Sequence, residues 1–390
     1  MPSGPRRVLF VDSCIGLAGG QYSLIEILKF LDSSRFIPIV ASPPGSGLRP
    51  RCETLRVKWL PLPFESAHLS CDVGTSAAAG IKDVGRSLGG VRYLAEIALR
   101  EQVDLVHANN FKAGLVGSFA ALIAGKPLVF HDRIHIAHEP LGTLVALLSR
   151  RIIAVSGTVA AKHRWPARNK IRVIPPGIDV DHFSAGEPEE PDRGSGAGGG
   201  AAGGGTICYI GRICVEKDIG SLIEAAARVA CDVQGVRFVI AGSPFTAEDS
   251  AYLESIKLRV AELGLTGTIE FAGYVDDVKG LLQACDGLVL PSRKEPLGRV
   301  MLEAMAMEKP VIAFDVGGPG EVITSGADGL LVDPGDIEGL AGAIESVLTD
   351  KELAARLGRS GREAVISAFS SKSVAERIMD VYDKILGGQV

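Results

Sequence analysis

Gly186-Glu-Pro-Glu-Glu-Pro-Asp-Arg-Gly-Ser-Gly-Ala-Gly-Gly-Gly-Ala-Ala-Gly-Gly-Gly205 interrupts an otherwise apolar-patterned chain of 390 residues. Such a run has almost no side chain to bury and cannot offset the entropy of ordering it, so it reads as a flexible linker. The sequence has the same rhythm on both sides. Before the linker, short β-rich apolar runs at 7–12, 36–41, 104–107, 127–130 and 152–155 alternate with stretches of helical period. The first of these, 21–31, sets Leu24, Ile27, Leu28 and Leu31 on one face and follows a turn rich in Gly16, Gly19 and Gly20. After the linker the rhythm restarts, with strands expected at 206–210, 236–241, 268–271, 287–290, 310–314 and 329–332. Short apolar strands separated by helices bury both faces of a parallel sheet.

The expected fold is therefore α/β, with two doubly wound Rossmann-like domains facing a cleft. Residues 1–185 form the N-terminal domain, 186–205 the linker and 206–370 the C-terminal domain. A last helix over 371–390 packs back on the N-terminal domain. Ligands of such sheets bind at the carboxyl ends of the strands.

Composition agrees with a buried globular protein: 46% hydrophobic and 22% charged residues. Seven cysteines (14, 52, 71, 208, 214, 231 and 285) form no Cys-x-x-Cys pair and read as reduced thiols packed as small hydrophobes. The apolar run after Arg6 and Arg7 is cut short by Asp12, too soon for a signal peptide. The stretch 113–125 falls short of the ~20 residues needed to span a bilayer. The expected location is the cytoplasm. Charge is uneven, with 22 Lys+Arg against 13 Asp+Glu in residues 1–180, so the net −5 comes from an acidic second half. A basic N-terminal half would suit an anionic partner, either an acidic substrate or the inner face of the membrane touched peripherally. It reads equally as uneven solvated surface.

The densest chemistry lies in Leu288-Val-Leu-Pro-Ser-Arg-Lys-Glu-Pro-Leu-Gly-Arg-Val-Met-Leu-Glu-Ala-Met-Ala306. A strand runs into a loop bearing Glu295 to Gly298, and a helix starts near Arg299. Free N–H groups at a helix start bind phosphate, and Gly298 lets backbone come close. Glu295 and Glu303 would then accept from sugar and ribose hydroxyls. The same spacing suits one acid placed for the helix dipole and one solvated glutamate. In Tyr209-Ile-Gly-Arg-Ile-Cys-Val-Glu-Lys217, Arg212 and Lys217 fall on another strand-to-helix loop at the same sheet edge. Two fixed cations there suit a diphosphate leaving group, or are ordinary surface charges.

Together these residues resemble the retaining, GT-B-fold glycosyltransferases of group 1 (family 4 type). Glu295 and Glu303, between Pro291-Ser292 and Glu303-Ala-Met-Ala306, are similar to its Glu-x7-Glu signature. Gly211-Arg212 with Glu216-Lys217 is similar to its Gly-Arg…Glu-Lys segment. The runs 173–183, 271–277, 284–286 and 317–321 complete the likeness, which extends from about residue 5 to 385.

The resemblance implies transfer of a hexose-type sugar from a nucleoside-diphosphate sugar to an acceptor hydroxyl, with retention of configuration and no metal or other cofactor. It implies that Arg212 and Lys217 hold the departing diphosphate, that Glu303 holds the ribose, and that Glu295 with the amides of Leu297 and Gly298 faces the donor sugar. Gly19 and Gly20 would approach the diphosphate, and His131 would sit beside the sugar. The acceptor, whether sugar, lipid or small molecule, is not specified. Gln21-Tyr22 stands where the family usually has Ala-Glu, and Pro176 where it has Asn.

Other signals carry less. Gly194-Ser-Gly-Ala-Gly-Gly199 fits a dinucleotide fingerprint only formally, because no helix opens after it. Asp179-Val-Asp181 reads as a turn cap more readily than as a metal grip. His131, His135 and His138 lack the carboxylate of a zinc protease motif. The basic run 162–172 suits a solvated connector before anionic lipid, and nucleic acid least. Two other functions share the fold: a nucleotide-sugar epimerase, and a non-catalytic nucleotide-sugar-binding module.

Overall fold

The computed structural model describes residues 4–62, 80–135, 140–163, 167–184 and 204–388, with the backbone alone for 80–88. All of the Gly-rich stretch except Gly204 and Gly205 lies outside the described residues. The chain divides into two compact units, Met1–Gly177 with Ser371–Val390, and Ile178–Ser370.

The first unit is built on a parallel sheet of β1 (Arg6–Val11), β2 (Phe36–Ser42), β3 (Lys58–Pro61), β4 (Leu105–Ala108), β5 (Leu128–Asp132), β6 (Arg151–Ala154) and β7 (Ile171–Val173). Its spatial order is β3-β2-β1-β4-β5-β6-β7, so the winding reverses between β1 and β4. Strand side chains alternate between two cores, as the period of two requires. Leu9, Val106, Phe130 and Ile152 enter one, with the helices Gly80–Arg100 and Phe111–Ala124 on that side. Phe10, Leu105, Val129 and Ile153 enter the other. That second core also takes Leu24, Ile27 and Leu28 from the helix Gly19–Phe30, and Val374, Ile378, Met379 and Tyr382 from the C-terminal helix Ser371–Leu386.

The second unit repeats the plan with β8 (Thr206–Ile210), β9 (Arg237–Ala241), β10 (Ile269–Gly273), β11 (Gly287–Leu290), β12 (Val311–Phe314) and β13 (Leu330–Val332), all parallel. The order β10-β9-β8-β11-β12-β13 reverses between β8 and β11. Ile207, Tyr209, Phe238, Ile312 and Phe314 fill one face and Cys208, Leu288, Leu290 and Val311 the other. Residues 178–184 belong with this unit: the Ile178 N–H donates to the Phe369 carbonyl, 2.8 Å away, and Phe183 is buried beside Met301 and Leu302.

The strands expected from sequence are present with ends shifted by a residue or two, and β5 runs on through His131 and Asp132. Sequence reading missed β3 and β7. Both are short edge strands without a fully buried residue, so they lack the continuous apolar signal of the inner strands. Cys14 is disulfide-bonded, a correction to the expectation of reduced thiols, because pairing depends on approach in space and not on spacing along the chain. Cys52, Cys208, Cys214, Cys231 and Cys285 are free, and Cys71 lies outside the described residues. No helix of the described residues is long and apolar enough to cross a membrane.

Candidate active site

In the second unit the loops after β8 and β11 leave the sheet at the point where its winding reverses. That is where an open α/β sheet leaves a crevice for a ligand. The buried Tyr209 hydroxyl donates to the Arg212 carbonyl at 2.7 Å, which holds the first loop against the end of its own strand. The Arg212 guanidinium donates through Nε to Asp249 Oδ2 at 3.0 Å and lies over the Phe245 ring, 5.4 Å from its centroid. Asp249 is fixed in turn. It is the third residue of the helix Ala247–Glu262, in a capping box with Thr246, and it also accepts from the Phe245 and Thr246 amides. A guanidinium held on two sides loses little freedom when an anion arrives.

Lys217 ends a short turn and is ion-paired to Glu295, whose carboxylate also accepts from Ser292 Oγ at 3.2 Å. The next residue, Asp218, has φ +45°, a costly conformation for a non-glycine, and Arg293 holds its side chain at 2.6 Å. Gly298 takes φ +87° as the N-cap of the helix Arg299–Ala306, a conformation that favours glycine there. Gly318 packs so closely on the second loop that a Cβ on it would lie 2.1 Å from Leu297 Cα. Glu303 sits in the second turn of that helix, buried, and accepts from Arg299 Nε at 2.8 Å. The four charged residues singled out from sequence thus lie together on one unit, each held by a named partner.

The first unit carries a buried polar chain at the end of its sheet. Asp12, just after β1, accepts from the Cys14 amide at 2.7 Å, from Gln21 Nε2 at 2.9 Å and from Asn109 Nδ2 at 2.6 Å. Asn109 Oδ1 accepts from Arg133 Nη2 at 2.7 Å. Arg133 Nη2 also lies 3.2 Å from His131 Nδ1, which is 3.2 Å from His107 Nε2. His107 Nδ1 is 2.5 Å from the Tyr382 hydroxyl. Burial, then the Arg133 charge, lowers both histidines: His107 to about 3, and His131 well below its usual value, with His107 adding to the effect there. Burial raises the Tyr382 hydroxyl well above the usual phenol range, so it keeps its proton. Gly19 and Gly20 open the helix Gly19–Phe30. A Cβ on Gly20 would lie 3.2 Å from Arg133 Cδ, while Gly19 faces open space.

Residues 200–364 match the family described as Glycosyl transferases group 1, and residues 19–182 match Glycosyltransferase Family 4. The alpha-maltose-1-phosphate synthase of Mycolicibacterium smegmatis is 32% identical over 317 residues, covering 73% of this chain and 80% of that one. The chain belongs to the group 1 glycosyltransferases. The glycogen synthase of Mycobacterium tuberculosis is 33% identical to this glycosyltransferase over 300 residues, 72% of this chain and 68% of that one. Among solved structures, Anabaena Alr3699/HepE in complex with UDP and glucose superposes with TM-score 0.81 at 23% identity, over 97% of this chain and all of that one. Sucrose-phosphate synthase from Thermosynechococcus elongatus does so with TM-score 0.78 at 19% identity, over 98% of this chain and all of that one. These likenesses show the GT-B fold.

Sequence reading of the glycosyltransferase overlooked Asp249 and Phe245, which hold Arg212, and Asp12, Asn109, Arg133, His107 and Tyr382, which form one buried polar chain with His131. Polar residues directly after β1 and β4 were the available signal for Asp12 and Asn109, since a polar side chain ending a buried strand needs a partner. Tyr382 had none. Gln21, the departure from the family pattern, is buried and ties the helix Gly19–Phe30 to Asp12. Asp179 accepts from the His182 amide at 3.1 Å, as a turn cap does. His138 lies outside the described residues, among which no group of three metal-ligating side chains gathers.

Proposed function

We propose that the chain is a retaining hexosyltransferase that takes its sugar from a nucleoside-diphosphate donor. The observation that carries this is the pair Arg212 and Lys217 on the loop after β8, at the reversal point of the second sheet, each fixed by a carboxylate: Arg212 by Asp249 at the start of the helix Ala247–Glu262, and Lys217 by Glu295 just before Gly298. Negative charge grows on the diphosphate as the glycosidic bond breaks, and preorganised cations stabilise it most at that moment. Glu303 accepts from the ribose hydroxyls, and Glu295 with the Leu297 and Gly298 amides faces the sugar. Gly19 and Gly20 bring backbone near the phosphates, and His131 takes a sugar hydroxyl. The acceptor oxygen attacks the face that the phosphate leaves, and its proton passes to the departing phosphate oxygen. The charge is met by side chains, so chelation leaves the rate unchanged.

The basic half also has a distinct surface, at the amino ends of β5, β6 and β7. A recess of about 300 Å³ in the first unit is lined by Lys126, Arg150, Arg151 and Lys170 among Leu122, Leu147 and Leu148. Leu122 is exposed there, and so is its neighbour in sequence, Ile123. Such a mixture suits an anionic amphiphile or an anionic membrane surface.

A screen of nucleotide sugars headed by UDP-glucose, with and without candidate acceptors, tests the reading. Nucleoside diphosphate and a product with the donor's anomeric configuration, read by NMR coupling constants, are expected. An inverted product removes retention. An epimerised donor, or binding without turnover, replaces the function.

A further inference from the structure

The polar chain of the first unit fixes where its protons lie. Arginine can only donate, so Arg133 Nη2 against His131 Nδ1 makes that nitrogen an acceptor. His107 Nε2, 3.2 Å from the same atom, must then carry a proton and donate as well. A neutral His107 protonated on Nε2 leaves Nδ1 to accept, and the Tyr382 hydroxyl donates to it at 2.5 Å. His131 is left with its own proton on Nε2. That atom is buried and has no hydrogen-bond partner. A buried donor without a partner needs a reason, and in an enzyme a ligand oxygen is one.

Strand periodicity explains how the pieces meet. His107 shares the face of Leu105 on β4, and His131 the face of Val129 on β5, with His107 registered opposite Val129. Both rings therefore enter the core covered by the C-terminal helix, where Tyr382 meets His107 edge-on, ring centroids 5.8 Å apart.

We propose that Tyr382 and His107 are positioning residues which, with Arg133, lock His131 in its neutral Nε2–H tautomer, so that His131 donates a hydrogen bond to a hydroxyl of the bound donor sugar and does not act as a base. The ligand named here rests on the function proposed above, whereas the tautomer does not. Long-range 1H–15N spectra of the full chain labelled with 15N-histidine, without substrate, read the protonated nitrogen directly. His107→Gln and His131→Gln supply the assignments.

The expected wild-type result is Nε2–H on both rings at pH 7. Tyr382→Phe is expected to mix the tautomers of His107 and lower kcat/KM about tenfold. His131→Gln, whose amide N–H can stand in for Nε2–H, is expected to stay within about tenfold of wild-type turnover, while His131→Leu loses about a hundredfold. A proton on His131 Nδ1, a charged His131 at pH 7, or a Tyr382→Phe enzyme with unchanged spectrum and turnover overturns the proposal. If Tyr382→Phe does not fold, the wild-type spectrum alone decides. If no sugar is transferred under any condition, the proposed function fails while the spectrum still judges the relay.

Discussion

Arg212 and Glu303 are both anchored arginine–carboxylate partners, yet their expected contributions differ. In the proposed reaction, Arg212 meets charge that develops as the bond breaks, and Glu303 meets ribose hydroxyls that are the same before and after. Uniform binding lowers KM without changing kcat. Replacing Glu303 with Gln should therefore raise the donor KM, by about tenfold, and leave kcat within a few-fold, as steady-state kinetics will read. The buried histidines add a pH dependence of stability. Both are held below the unfolded value of about 6.5, so the unfolded chain binds more protons than the folded one as the pH falls below it. Stability contributed by their burial is complete above pH 7 and drains away below it. For His107 the loss runs down towards about 3. The slope approaches about 1.4 kcal/mol per pH unit for each histidine. Denaturant titrations between pH 7 and pH 5 should show it, and His107→Gln should flatten it.

Elements act here chiefly by where they end. The loops after β8 and β11 carry the charged cluster, and the spacing of Gly298 and Gly318 decides how near the second loop approaches its neighbour. Adding a methyl group at Gly318 drives it into the Leu297 backbone. Gly318→Ala should cost about 1–3 kcal/mol of stability by overpacking and raise the donor KM, measured by thermal unfolding and kinetics. These loops were legible in the sequence because each lies in one contiguous run after an apolar strand. The inner strands were legible for the same reason, since burial on both faces makes them apolar without interruption. Edge strands β3 and β7 were not, because half their surface meets solvent. The Tyr382–His107 contact was beyond reach for a different reason. Its partners are 275 residues apart and meet only through a strand register and a helix from the chain's far end.

For the whole molecule, two properties were readable from composition and order: the repeated α/β plan and the uneven charge. The surface around Lys126, Arg150 and Arg151 gives the basic half a location. If it meets anionic lipid, sedimentation with phosphatidylglycerol vesicles should exceed that with neutral vesicles. It should fall steeply between 50 and 300 mM salt, about the range over which exposed charges are screened. Equal sedimentation with both at low salt would point to a soluble acceptor. If the chain transfers sugar by stabilising a departing diphosphate through Arg212, turnover depends on that side chain even when the donor is saturating. The most direct measurement is kcat of Arg212→Ala at saturating donor, with circular dichroism and thermal unfolding confirming the fold. A loss of about 10²–10³ in kcat is expected, the usual consequence of removing one preorganised donor to a developing charge. Turnover close to wild type in a folded Arg212→Ala enzyme would contradict it.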